Sequence, residues 1–190
     1  MILVMKSEVV KDLKSQLHVI TNKLSKEKMK PVKNNNFIKP TGGLWTSTYH
    51  PIYGSEWVQY SMNIGGILLP DSEFWDGYLL IPHKNARLFI IDGYQDLKEL
   101  MDNFKIEMKL RNPSFYSPRE DFTIDFEKLQ KEYDGIQLTK KGLAETKTTY
   151  PFNLDGWDVE STIWFRWVFK KAYPIRQKFS YKESLSHVAL

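Results

Sequence analysis

The sequence predicts an α+β domain with short helices around a mostly antiparallel or mixed sheet. Two observations point there. Runs that favour β structure recur at residues 15–21, 44–49, 78–81, 86–91, 136–139 and around Trp164. Between them lie only short stretches of helical spacing, and no internal repeat suggests a solenoid. A chain of 190 residues is long enough to bury a core as one domain. The expected domain is therefore 1–190, with the basic residues from about Lys170 onward as a tail.

Each element has its own reason. Residues 5–14 place Val9, Val10 and Leu13 at helical spacing, which predicts a short amphipathic helix. Residues 15–21 are apolar and β-branched at their centre, a first strand that carries His18 and Thr21. A basic, Asn-rich loop follows over 22–36, with a turn of helix around Ser25 to Met29. In 39–49, Pro40 fixes φ, and Gly42-Gly43 open backbone angles closed to other residues, so main chain can approach a ligand closely. The strand behind that turn carries an aromatic plane and hydroxyls at Trp45, Thr46 and Ser47. Residues 54–62 read as a helix with Ser55 as N-cap. Strands are expected at 78–81 and 86–91, joined by a turn over 82–85. Helices are expected at 92–104 and 125–133, an irregular loop at 105–120, and a strand at 136–139. Residues 140–149 are polar and carry no assignment. A turn at Asp155-Gly156 leads to a last aromatic strand, with Glu160 near its start.

Composition excludes several chemistries. The chain has no cysteine, which removes disulfides, thiolate catalysis and the usual zinc sites. His18, His50, His83 and His187 lack the spacing of a metal site, so no metal is expected. No apolar run is long enough to span a bilayer, and residues 1–5 are too short for a secretory signal, so the expectation is a cytoplasmic protein without a membrane partner. No P-loop or Rossmann glycine pattern is present. The net charge of +4 suits an acidic partner such as nucleic acid, although the lysines between 23 and 33 equally describe a solvated face. Trp57, Trp75, Trp164 and Trp167 read as core, and the histidines other than His18 as surface.

Three of these segments together resemble the ADP-ribosyltransferase superfamily. They are His18-x-x-Thr21 on an early strand, the Gly42-Gly43 turn followed by Trp45-Thr46-Ser47, and Glu160 at the start of a late strand. The pattern is closer to the His–aromatic–Glu branch, which includes poly(ADP-ribose) polymerases, RNA 2′-phosphotransferases and DNA-modifying toxins. Asp158-Val159-Glu160 is also similar to the paired acids of the arginine-modifying branch, with Asp in the first place. The resemblance implies an ADP-ribosyltransferase-like fold with a split sheet and NAD as substrate. It implies that His18 and Thr21 hold the ribose and carboxamide region, that Trp45 stacks on nicotinamide with Thr46 and Ser47 beside it, and that Glu160 is catalytic. The sequence departs from the family in having Trp where Tyr is usual, no Gly after His18, and no arginine near it on the first strand.

The chemistry can be argued without the name. Breaking the bond between nicotinamide and ribose creates a cationic sugar, which a fixed carboxylate stabilises where the charge develops. Hydroxyls and an aromatic face orient the leaving ring without a metal. The expected activity is mono-ADP-ribosyl transfer from NAD to a macromolecular acceptor, protein or nucleic acid. A cysteine-free chain rich in Lys and Asn fits a bacterial or phage toxin or defence factor. Two alternatives stand beside it: an NAD glycohydrolase, and a non-catalytic basic module that stacks bases on aromatic side chains and holds phosphates with lysines.

Overall fold

The computed structural model describes residues 13–19, 22–35, 39–63, 73–107 and 122–180. The helix expected over 5–14 (apart from Leu13 and Lys14), Thr21, and residues 108–120 of the expected loop lie outside them. In chain order the elements are β1 (Gln16–Val19), a 3-10 turn (Lys26–Lys28), β2 (Leu44–Thr48), α1 (Glu56–Asn63), β3 (Phe74–Pro82), β4 (Leu88–Ile91), α2 (Tyr94–Phe104), β5 (Lys105–Glu107), β6 (Phe122–Ile124), α3 (Phe126–Leu129), β7 (Gly135–Leu138), α4 (Lys140–Thr146), β8 (Ser161–Trp164) and β9 (Phe169–Lys178). Seven strands form one mixed sheet in the order β4-β7-β8-β2-β1-β3-β9, and β5-β6 form a small second one. The architecture is α+β, as the strand-rich pattern predicts.

Only β4 and β7 run parallel, and the connection between them contains α2 and α3, the long crossover that a parallel pair requires. Every other pair in the large sheet is antiparallel. Strand alternation then sorts the core. Ile136, Leu138 and Ile163 join the buried Leu97, Leu100, Met101 and Phe104 of α2 on one face. Their i, i+3, i+4, i+7 spacing is the signal that predicts α2, and each buried side chain contributes about 1.5–3 kcal/mol of transfer free energy. Leu44, Leu80, Leu88 and Trp164 fill the other face.

The structure differs from expectation in three places. Residues from Lys170 are not a tail: they form β9, which pairs along the whole of β3. Its side chains are mostly exposed, so composition reads as solvated, while main-chain hydrogen bonds hold the strand. Pro174 and the lysines suit a sheet edge. The turn expected over 82–85 is present, with Ala86 N donating to His83 O at 3.0 Å, and beyond it the strands part: β3 lies between β1 and β9 while β4 pairs with β7 at the far edge. α3 covers only Phe126–Leu129 of the helix expected over 125–133, capped by the Asp125 carboxylate accepting from Lys128 N. The polar residues 140–149 contain α4, capped by Thr139. In that helix Gly142 lies so close to β4 that a Cβ there would meet the Ile91 carbonyl oxygen at 2.0 Å. Ser55 does cap α1 as predicted, accepting from Val58 N at 3.3 Å.

Gly42 and Gly43 have positive φ (76° and 68°), as a turn rich in glycine suggests. Their close approach, however, is to the protein's own chain. Gly42 packs on the Pro31 carbonyl and Gly43 on Ile163 and Trp164. The turn therefore sets where β2 begins, and neither glycine lines the two cavities beside β2.

Candidate functional site

β8, β2 and β1 are neighbours in the sheet, so the three segments that carry Glu160, Trp45 and His18 come together. β1 and β2 pair over only two register positions, Gln16↔Thr48 and Leu17↔Ser47, whereas β1 continues along β3 to Val19↔Gly77. Where the β1–β2 ladder stops, the His18 ring takes over: Nδ1 lies 2.7 Å from the Trp45 carbonyl oxygen. A carbonyl can only accept, so Nδ1 carries the proton and Nε2 of the neutral ring keeps its lone pair. Burial holds the His18 pKa below its ordinary value, and the Trp45 carbonyl offsets this only in part.

The gap beside His18 is a cavity of about 360 Å³. Its walls include His18, Trp45, Ser47, Trp57 of α1, and the Lys39–Asp158 ion pair at 2.6 Å. Trp45 is braced from behind by the fully buried Trp157, edge to face at a centroid distance of 5.1 Å. Partial burial works against ionisation of Asp158. Lys39 and the Tyr60 hydroxyl more than offset it, so the carboxyl stays below the usual range and is charged at neutral pH.

Glu160 is buried, at 5% exposure, and its carboxylate is fully engaged. It accepts from Ser47 Oγ at 2.7 Å, from Thr48 N at 3.0 Å and from Thr48 Oγ1 at 2.8 Å, with Gln137 Nε2 at 3.4 Å. Consecutive strand residues point to opposite faces, so a carboxylate bonded to both hydroxyls sits on the end of the sheet between the two faces. It lies beyond the last β2–β8 pair, Thr46↔Thr162, where it takes a main-chain N–H that the ladder leaves free. On its far side opens a cleft of about 440 Å³, whose walls include Gln137, Thr48, Tyr49, Lys140 and the stacked His50 and Tyr53 rings.

No family model matches the chain, and neither the curated proteins nor the solved structures give a match. The structure brings His18, Trp45 and Ser47 to one cavity and joins Ser47 to Glu160. The Glu160 carboxylate itself lines the second cleft rather than the Trp45 cavity. Thr46 is placed differently from expectation: its hydroxyl is buried, donating to Gln16 Oε1 at 2.7 Å and accepting from Trp164 Nε1 at 2.9 Å. Thr46 still borders the Trp45 cavity, but its hydroxyl is engaged inside the sheet. Thr21 lies outside the described residues.

Sequence reasoning missed Lys39 and treated Trp57 as core and Asp158 only as the first acid of a pair. Nothing local links Lys39 to a partner 119 positions away. The spacing Asp158-x-Glu160 did hold a signal, since alternate residues entering a strand diverge little and both acids end near the same sheet end. Among the described residues no group of three or more His, Cys, Asp or Glu side chains is arranged to hold a metal ion, and no helix is long and apolar enough to cross a membrane.

His18 makes stability depend on pH. Its folded-state pKa is depressed, so as pH falls through the ordinary value of about 6.5 the unfolded chain takes up a proton that the folded chain does not. Stability contributed by the neutral ring is complete above that value and is lost as pH drops toward the lowered one. The midpoint of thermal unfolding is expected to fall between pH 7.5 and 5.5, and His18→Gln to flatten that slope. An unchanged slope in the variant would assign the dependence to another group.

Proposed function

We propose that the chain is an NAD-dependent mono-ADP-ribosyltransferase with an ADP-ribosyltransferase-like fold, acting on a macromolecular acceptor. The observation that carries the reading is the Glu160 carboxylate at the sheet end. Ser47 and Thr48 fix it two and three residues from Trp45; the carboxylate lines the larger cleft, and its partner Ser47 lines the Trp45 cavity. The adjacency of the three motif-bearing strands and the free Nε2 of His18 support it.

In this reading nicotinamide lies against Trp45, and His18 Nε2 accepts from a ribose hydroxyl. The bond between C1′ and the pyridinium nitrogen breaks, its electron pair leaves with nicotinamide, and the sugar carbon becomes cationic. Glu160, already oriented by hydroxyls that need not move, stabilises that charge. The acceptor attacks C1′ from the side of the larger cleft, forms the new bond to that carbon and passes its proton to water.

Incubation of the protein with labelled NAD and cell extract tests the reading. Nicotinamide should appear together with label on a macromolecule. Release of free ADP-ribose with no labelled product would make the chain a glycohydrolase. Absence of both NAD binding and nicotinamide release would remove the enzymatic reading.

A further inference from the structure

The wall of the Trp45 cavity already holds a cation. Lys39 Nζ lies 6.0 Å from the centroid of the Trp45 ring and 2.6 Å from Asp158 Oδ2. Tyr60 donates to the other carboxylate oxygen at 3.3 Å. Trp57, half-buried on α1, adds a second indole to the same cavity. An indole face and a carboxylate converging on one ammonium form a cation site.

The parts of that site differ in how firmly they are held. Trp45 is braced by Trp157, and Asp158 follows Trp157 directly in the chain. The Lys39 side chain ends on a long flexible stem and keeps 37% of its surface exposed. Its ammonium can swing into water while the indole and the carboxylate stay in place.

We propose that the Trp45 cavity is built for a planar aromatic cation, and that Lys39 is a resident stand-in which such a ligand displaces from the Trp45 face and from Asp158. The inference rests on the reading above for the identity of the natural ligand, the pyridinium ring of oxidised NAD. Lys39 sets the affinity by competing for the same two partners.

Calorimetric titration of the full chain with 1-methylnicotinamide (cationic) and nicotinamide (neutral) separates charge from ring shape. The cation is expected to bind about 10-fold more tightly than the neutral ring, with an advantage that shrinks as salt rises. Lys39→Met should tighten the cation by about 5- to 10-fold and leave nicotinamide unchanged, Lys39→Arg should behave as the parent, and Asp158→Asn should weaken the cation by about 10-fold. Equal binding of the two rings, no binding of the cation by either the parent or Lys39→Met, or a Lys39→Met variant indistinguishable from the parent would overturn the proposal. The two readings fail separately. Nicotinamide release from NAD without any preference for the cation sinks the cation site and leaves the transferase. A clear preference for the cation without NAD cleavage does the reverse.

Discussion

Glu160→Gln is expected to lower nicotinamide release from NAD by on the order of 10²- to 10³-fold, the loss seen when one fixed electrostatic group facing a transition-state charge is removed. Glutamine has the right size and keeps one acceptor oxygen, but it cannot offset a cationic sugar. It also replaces one acceptor by an amide N–H₂ facing the Thr48 N–H and the Ser47 hydroxyl, now at 3.0 and 2.7 Å from Oε2. A buried donor left without a partner costs about 1–3 kcal/mol, so some loss of stability should accompany the loss of rate. The two effects can be separated. Ser47→Ala removes one hydrogen bond and keeps the charge, so it should lose comparable stability but far less activity. Nicotinamide release measured on both variants, well below their melting temperatures, gives the comparison. If Glu160→Gln keeps full turnover while both variants melt lower, Glu160 is a clamp that closes the end of the β2–β8 ladder and nothing more.

That same residue shows how far the sequence could be read. The strand placement of His18 and Trp45 followed from local pattern, because β-branched and aromatic runs bounded by turn residues are a short-range signal, while Glu160, expected at the start of a strand, lies just before β8. Their adjacency in the order β8-β2-β1 did not follow from local pattern, since the pairing partners of β2 and β8 are more than a hundred residues apart and leave no trace in composition. What the sequence could not give was which way each side chain faces at the end of a strand. Trp45, Thr46 and Ser47 all border the cavity, but the Thr46 hydroxyl is turned to Gln16 and Trp164, so only its neighbours can offer a side-chain group there. β9 was hidden for a different reason. Its lysines, Tyr173 and Arg176 remain exposed after pairing, so its stability resides in main-chain bonds that side-chain pattern does not record. α4 was hidden because it is short and polar with a central glycine, features that argue against a helix until Thr139 and the contact of Gly142 with Ile91 are seen.

Gly42→Ala is expected to be the most destabilising small substitution near the site, costing about 3 kcal/mol. Two effects combine. The residue has φ of +76°, where a Cβ costs roughly 1–2 kcal/mol. That Cβ would also stand 2.1 Å from the Pro31 carbonyl oxygen, which is backbone and cannot rotate away. Relief requires residues 30–33 to separate from 41–43, and those segments are joined by the Gly43 N to Lys30 O bond at 2.9 Å and by paired Lys33–Thr41 bonds at 3.0 Å. Local repacking of this kind costs a further 1–3 kcal/mol or so. Against a total stability of about 5–15 kcal/mol the loss is large, and urea unfolding would measure it directly. The consequence for function follows from position. The turn fixes the start of β2, so a shift there moves Trp45 relative to His18, whose ring is tied to the Trp45 carbonyl. Binding of NAD should therefore weaken in the variant even at temperatures where it remains folded. A change of less than about 1 kcal/mol, with NAD affinity intact, would mean that the loop yields easily and that the turn does not set the geometry of the Trp45 cavity.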